Sequence, residues 1–239
     1  MTLRAAPDNG LQLPWMAGVL IHQMVGWPIV LYLAVRSSGT TWKQAFPLQR
    51  FPIRLVLPVT TLCVGLAILL IQIGSLIPQP ELLHRMNEEY LSSPGFLTWM
   101  STVVVGPICE EAFHRGWLLT GLRARYSTRK AIVVSAAVFA LFHLNPWQAV
   151  IAFPIGILFA WLVVRTGSLG PSILGHAVAN ATGDGVNAIL RQMGYSDASI
   201  QEMTYLPPVL LIAGGLLAIV GWFFLARAVG RKPAAVAQD

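Results

Sequence analysis

Three short runs place ionisable or hydrogen-bonding side chains inside otherwise apolar sequence. They are Glu110-Glu111-Ala112-Phe113-His114-Arg115, Phe139 through His143, and His176 through Asn180. An ionisable group at membrane depth costs about 2.5–3.5 kcal/mol on insertion scales, which makes each a functional candidate. Glu111 and Arg115 share a helix face at i, i+4 and can pair there. Glu110 points about 100° away from its neighbour around a helix. It lacks that cation and is free to face a cavity, with His114 one turn on and within reach. Phe139 and His143 share a face, as do His176 and Asn180, and Asp184 and Asn187 continue roughly the latter face.

Peptide hydrolysis needs an activated water, donors for the developing oxyanion and a proton for the leaving amine. Glu110 can take the proton from water and return it, while His143 holds that water in line. His176 and Asn180 can donate to the oxyanion. Glu111, Arg115 and Phe139 are supporting residues. The same atoms also suit a metal: two histidines and a glutamate bind zinc, so Glu110, His143 and His176 are the alternative ligands. The glutamate route needs no cofactor. The plainer reading is packing, with a Glu–Arg pair stapling two helices and histidines hydrogen-bonded inside a bundle. A second glutamate beside the first has no part in that reading. In lipid all three groups must find their partners in one another. A serine route lacks support, because neither Ser135 nor Ser172 lies in a Gly-x-Ser-x-Gly context.

The elements that carry these residues are expected to be membrane-spanning helices. Of the 239 residues 55% are hydrophobic and 11% charged, against about 25% charged in an ordinary soluble domain. The mean hydropathy is +0.64. A span needs about 20 mostly apolar residues, and seven segments qualify: 14–35, 54–77, 96–122, 130–145, 147–165, 168–190 and 206–226. The expected fold is an all-α polytopic bundle, one integral membrane domain over 1–239. Its motif-bearing core is 96–190 and its cytoplasmic tail 227–239. Between the second and third segments, Leu82, Leu83, Met86 and Tyr90 recur at helical spacing and suggest a short interfacial helix. The first apolar run is too long for a signal-peptide core of about 7–15 residues.

The basic residues fix an orientation. Alternate loops on one side hold Arg36, Lys43, Arg50, Arg54, Arg123, Arg125, Arg129, Lys130, Arg165, Arg227, Arg231 and Lys232; the other side holds Arg4, Arg85 and Arg191. Basic loops stay cytoplasmic, so the N-terminus is expected outside and the C-terminus inside, in the cell membrane. The cations then face anionic lipid headgroups, and the net charge of +6 needs no nucleic-acid partner. Cys63 and Cys109 have neither metal nor redox spacing.

The three runs resemble the motifs of the CPBP, or Abi, family, which includes the type II CAAX prenyl endopeptidases. Glu110, Glu111 and Arg115 match its Glu-Glu-x-x-x-Arg motif, Phe139 and His143 its Phe-x-x-x-His motif, and His176 and Asn180 its His-x-x-x-Asn motif. The resemblance covers residues 96–190. It implies an intramembrane endopeptidase in which the residue matching Glu110 activates water with help from the one matching His143. Those matching His176 and Asn180 bind the oxyanion. It leaves glutamate and metallo mechanisms both open. The implied substrate is a membrane-associated peptide or a lipidated protein. Two other readings use the same residues: a proton-coupled transporter with a Glu–His relay, and a non-catalytic scaffold or immunity protein. Against the transporter, Gly106-Pro107 has no counterpart in a second half, where inverted repeats would place one.

Overall fold

The structure is a computed structural model that describes residues 15–77 and 95–230. Apart from one isolated bridge between Leu48 and Ser168, the regular structure among these residues is helical. All seven apolar segments form helices. We number them α1 (15–38), α2 (Val56–Ser75), α3 (96–123), α4 (Thr128–Phe142), α5 (Pro146–Thr166), α6 (Gly170–Gln192) and α7 (Pro208–Gly230). Four stretches are long and apolar enough to cross a membrane: Gly18–Ser38, Ile53–Ser75, Gln148–Thr166 and Pro208–Val229. They mark the chain as an integral membrane protein. The other three helices are those that carry the polar motifs, and α4 has only 15 residues. The expected interfacial helix at Glu81–Leu91 lies outside the described residues. Helix α7 runs through Arg227 to Gly230, so the first residues of the expected tail are helical.

Helix α4 was expected to reach residue 145 but ends at Phe142 with His143 as its C-cap. The cause is Pro146. The residue before a proline is pushed out of helical geometry, and Pro146 itself opens α5 with a φ already suited to a first turn. The chain reverses through Leu144, whose φ of 50° is left-handed. That conformation costs a non-glycine residue roughly 1–2 kcal/mol, so the turn beside His143 is strained.

Burial is reversed relative to a soluble protein. Helix α7 turns Ile212, Leu216, Ile219 and Phe223 outward, whereas Glu111, His114, Arg115, Ser135 and His176 are buried. An apolar surface suits lipid, and the buried polar groups pair with one another inside, although Glu111 Oε2, His114 Nε2 and Arg115 Nε have no hydrogen-bond partner among the described residues. The main apolar core joins α2, α4, α5 and α7 through Val59, Leu62, Phe139, Ile155, Phe159 and Leu225. Helix α2 packs on α7 and α6, α5 packs on α4 and α6, and α3 lies against α6. Phe139 and Phe159 extend that core to the polar motifs, so the site is built on its edge.

Candidate active site

Helix α3 supplies the two glutamates and the arginine. Pro107 cannot donate to the carbonyl four residues back. The helix just before it, Met100–Val105, adopts the wider π winding, as does Ala112–Leu118 after the carboxylates. Such π segments concentrate at functional sites. The glutamates part as their spacing predicts. The Glu111 side chain is fully buried, while that of Glu110 is 27% exposed.

Glu111 is the hub. Arg115 Nη1 donates to its Oε1 at 2.8 Å, and Arg115 is as fully buried as its partner. Arg115 Nη2 donates to the Gly156 carbonyl at 3.2 Å, and the guanidinium lies 4.1 Å from the Phe139 ring centroid. Gly156 admits that contact, since a Cβ there would stand 3.1 Å from both Arg115 Nη2 and Phe139. The same Glu111 Oε1 lies 3.0 Å from His176 Nδ1. His176 is stacked on Phe159 with centroids 5.4 Å apart and meets the edge of Phe139 at 5.5 Å. Its Nε2 is then aimed at Glu110, 3.8 Å from Oε2. One buried carboxylate thus receives an arginine and a histidine, and that histidine bridges to the second carboxylate.

These contacts assign protons. A carbonyl only accepts, so His143 Nδ1, 2.8 Å from the Phe139 carbonyl, carries a hydrogen. Neutral His143 therefore offers a lone pair at Nε2. His176 Nδ1 likewise donates to the Glu111 carboxylate. His176 can donate from Nε2 as well only when both ring nitrogens are protonated, a cation for which Glu111 and Glu110 are the counter-charges. Asn180 Nδ2 donates to the Thr102 carbonyl at 2.8 Å, tying α6 to α3 and leaving its second N–H. His143, His176 and Asn180 line one cavity of about 120 Å³ with Phe139, Gln148 and Phe159. Glu110 joins this group through its contact with His176.

Other expectations fared differently. His114 touches Glu110, but through the backbone: its Nδ1 lies 2.8 Å from the Glu110 carbonyl. The ring packs against Phe113, Phe139 and Phe142 rather than facing the cavity. Ser135 is structural, its hydroxyl donating to the His114 carbonyl at 2.9 Å. Asp184 and Asn187 do not line the cavity. Among the described residues, no three His, Cys, Asp or Glu side chains are placed to hold one metal ion, the set Glu110, His143 and His176 included.

The sequence reading passed over Gln23. Its Oε1 accepts from Ser101 at 2.9 Å, and its carbonyl accepts from Cys109 Sγ at 3.6 Å, fastening α1 to α3. A Cβ on Gly106 would stand 2.8 Å from the Ser101 carbonyl oxygen and 3.2 Å from Gln23 Nε2, so this glycine leaves room for the π turn and for Gln23. The signal was present, since Gln23 interrupts an apolar span, but a search for ionisable groups does not see an amide.

The motif residues thus come from three helices to one site, with Glu111, Arg115, Phe139 and His176 buried at its centre and Glu110, His143 and Asn180 partly or fully exposed around it, in one continuous part of the chain. Residues 92–182 match the Rce1-like family of type II CAAX prenyl endopeptidases. All seven motif residues, Glu110 to Asn180, fall within that match. Helices α1, α2 and α7, and with them Gln23, fall outside it. The match points to a protease of the CAAX type working within the membrane. No curated protein and no solved structure matches the chain significantly.

Proposed function

We propose that the protein is an intramembrane endopeptidase that hydrolyses a peptide bond in a membrane-associated peptide or lipidated protein, with Glu110 as the base. The observation that carries this reading is the 3.8 Å approach of Glu110 to His176, which shares a cavity with His143 and Asn180. Water enters between Glu110 and His143, and the Nε2 lone pair of His143 accepts one of its hydrogens. Glu110 removes the other proton as the water oxygen attacks the scissile carbonyl. The resulting oxyanion receives the free N–H of Asn180 and the Nε2–H of doubly protonated His176. Glu110 then passes its proton to the leaving amine as the C–N bond breaks. Glu111 and Arg115 act on His176 rather than on the substrate: they fix its ring and hold the Nδ1 proton. The reaction needs no metal. The seven helices all cross the membrane in this reading, with the arginine-rich ends of α1, α2 and α7 in the cytoplasm.

The test is cleavage of a panel of membrane-associated peptides, prenylated and unmodified, by the purified chain in detergent micelles. Glu110→Gln keeps the shape of the side chain and removes the base, so cleavage should fall by roughly 10²–10⁴-fold with folding unchanged. Wild-type cleavage should survive a chelator. Activity lost to the chelator and restored by zinc would replace the glutamate mechanism with a metal one. Equal cleavage by Glu110→Gln would remove Glu110 from the chemistry.

A further inference from the structure

The two ends of α2 and α7 differ in charge. Helix α7 runs antiparallel to α2: a Cβ on Gly221 would meet Leu62, one on Gly65 would meet Ala218, and one on Gly214 would meet Ile68. This register brings Arg54, just before α2, to the end of the pair where Arg227 lies in the last turn of α7. Both arginines line one surface groove of about 700 Å³, whose walls include Leu57, Pro58, Val220 and Phe224. That volume lies in the range of ligand clefts, about 300–1,000 Å³.

Neither arginine has an ion-pair partner among the described residues. Chain neighbours offer none, because no Asp or Glu occurs between residues 9 and 80 or between 203 and 238. The Arg227 guanidinium lies 3.8 Å from the Phe223 ring centroid, which holds the charge at the edge of the apolar surface. Two unpaired guanidiniums above an apolar groove, at the end of a membrane bundle, complement one kind of molecule. We propose that this groove binds an anionic phospholipid, with the phosphate between Arg54 and Arg227 and an acyl chain along Leu57 and Phe224. Guanidinium forks suit phosphate oxygens, and basic clefts between helices at the membrane surface select anionic headgroups. The site involves none of the motif residues and stands whether or not the chain is a peptidase.

Native mass spectrometry of the full chain in detergent, titrated with phosphatidylglycerol or phosphatidylcholine, tests it. One phosphatidylglycerol should be retained at concentrations where phosphatidylcholine is not. Arg54→Gln and Arg227→Gln should each weaken that retention about fivefold. Arg123→Gln, outside the groove, should leave it unchanged. Both groove arginines are exposed, so their loss leaves the fold intact, which an unchanged Tm verifies. Glycerol phosphate, a headgroup without acyl chains, should compete poorly. The proposal is overturned by equal retention of the two lipids, by an equal loss in Arg123→Gln, or by glycerol phosphate competing as well as the lipid.

Discussion

The contact of α3 with α6 and the contact of α2 with α7 join helices of one bundle by opposite means. Between α3 and α6 the link is polar: Arg115, Glu111 and His176 share one carboxylate oxygen, and Asn180 bonds to Thr102. Between α2 and α7 the link is close approach. A Cβ on Gly65 would overlap the Ala218 backbone nitrogen, and one on Gly221 would overlap that of Leu62. Lipid tails are as apolar as leucine, so helices in a membrane associate through such packing or through interhelical hydrogen bonds. Small residues achieve it without desolvating a charge. A buried ion pair recovers its desolvation cost only with good geometry, and apolar replacements often match it in stability. The polar contact is therefore poor value as a fastening and intelligible as chemistry, which is why the two regions should answer mutation differently.

The largest difference is expected at Arg115. Arg115→Met leaves Glu111 buried without its cation and should destabilise the protein by about 3–5 kcal/mol. Adding Glu111→Gln removes the stranded charge and should recover most of that loss, because a glutamine oxygen still accepts from His176. Unfolding in mixed micelles measures both. Under the proposed mechanism the double variant should remain folded yet cleave slowly, since an amide at position 111 holds the Nδ1 hydrogen of His176 less strongly than a carboxylate does. A double variant as unstable as the single one would make shape, not charge, the basis of this contact.

This contrast also separates what the sequence made legible from what it hid. The i, i+4 spacing of Glu111 and Arg115 predicted their pairing, and the two side chains meet at 2.8 Å. The offset of Glu110 from Glu111 likewise predicted their unequal exposure. Apolar runs located all seven helices, four of which are long and apolar enough to cross a membrane. The turn of His176 toward Glu111 was not legible, since it depends on how α6 rotates against α3 and no residue on α6 alone encodes that. The π winding around Pro107 and the early end of α4 are local consequences of prolines, visible in sequence only as irregularity of unknown extent. The glycine contacts were hidden for a different reason. Gly65, Gly214 and Gly221 have no side chain to give a hydropathy signal, and their role appears only when the opposing backbone is in place.

Next in size is the close approach itself. Gly221→Ala drives a methyl group into the backbone of α2 at Leu62, which cannot yield as a flexible side chain can. Overpacking of this kind should cost about 1–3 kcal/mol. Cleavage by the fraction that stays folded should be unaffected, because α7 contributes nothing to the cavity of His143, His176 and Asn180. Lost stability with retained turnover is the opposite of the outcome expected for Glu110→Gln. Turnover lost together with stability would show that the α2–α7 contact sets the geometry of the site.

The smallest effect discriminates most finely, because it uses the same residue type on the same helix. Gly215 faces open space, with no atom within 4 Å of a Cβ built there, whereas its neighbour Gly214 would clash with Ile68 at 2.9 Å. Gly215→Ala restricts the unfolded chain without a steric cost and should stabilise the protein by about 0.5 kcal/mol. Gly214→Ala should destabilise it. Opposite signs at adjacent positions would establish that the glycines of α7 serve the approach of two backbones. If Gly215→Ala also destabilised the protein, flexibility of α7 would become the better account of its glycines, and the distinction between a polar fastening and a close-packed one would lose its second half.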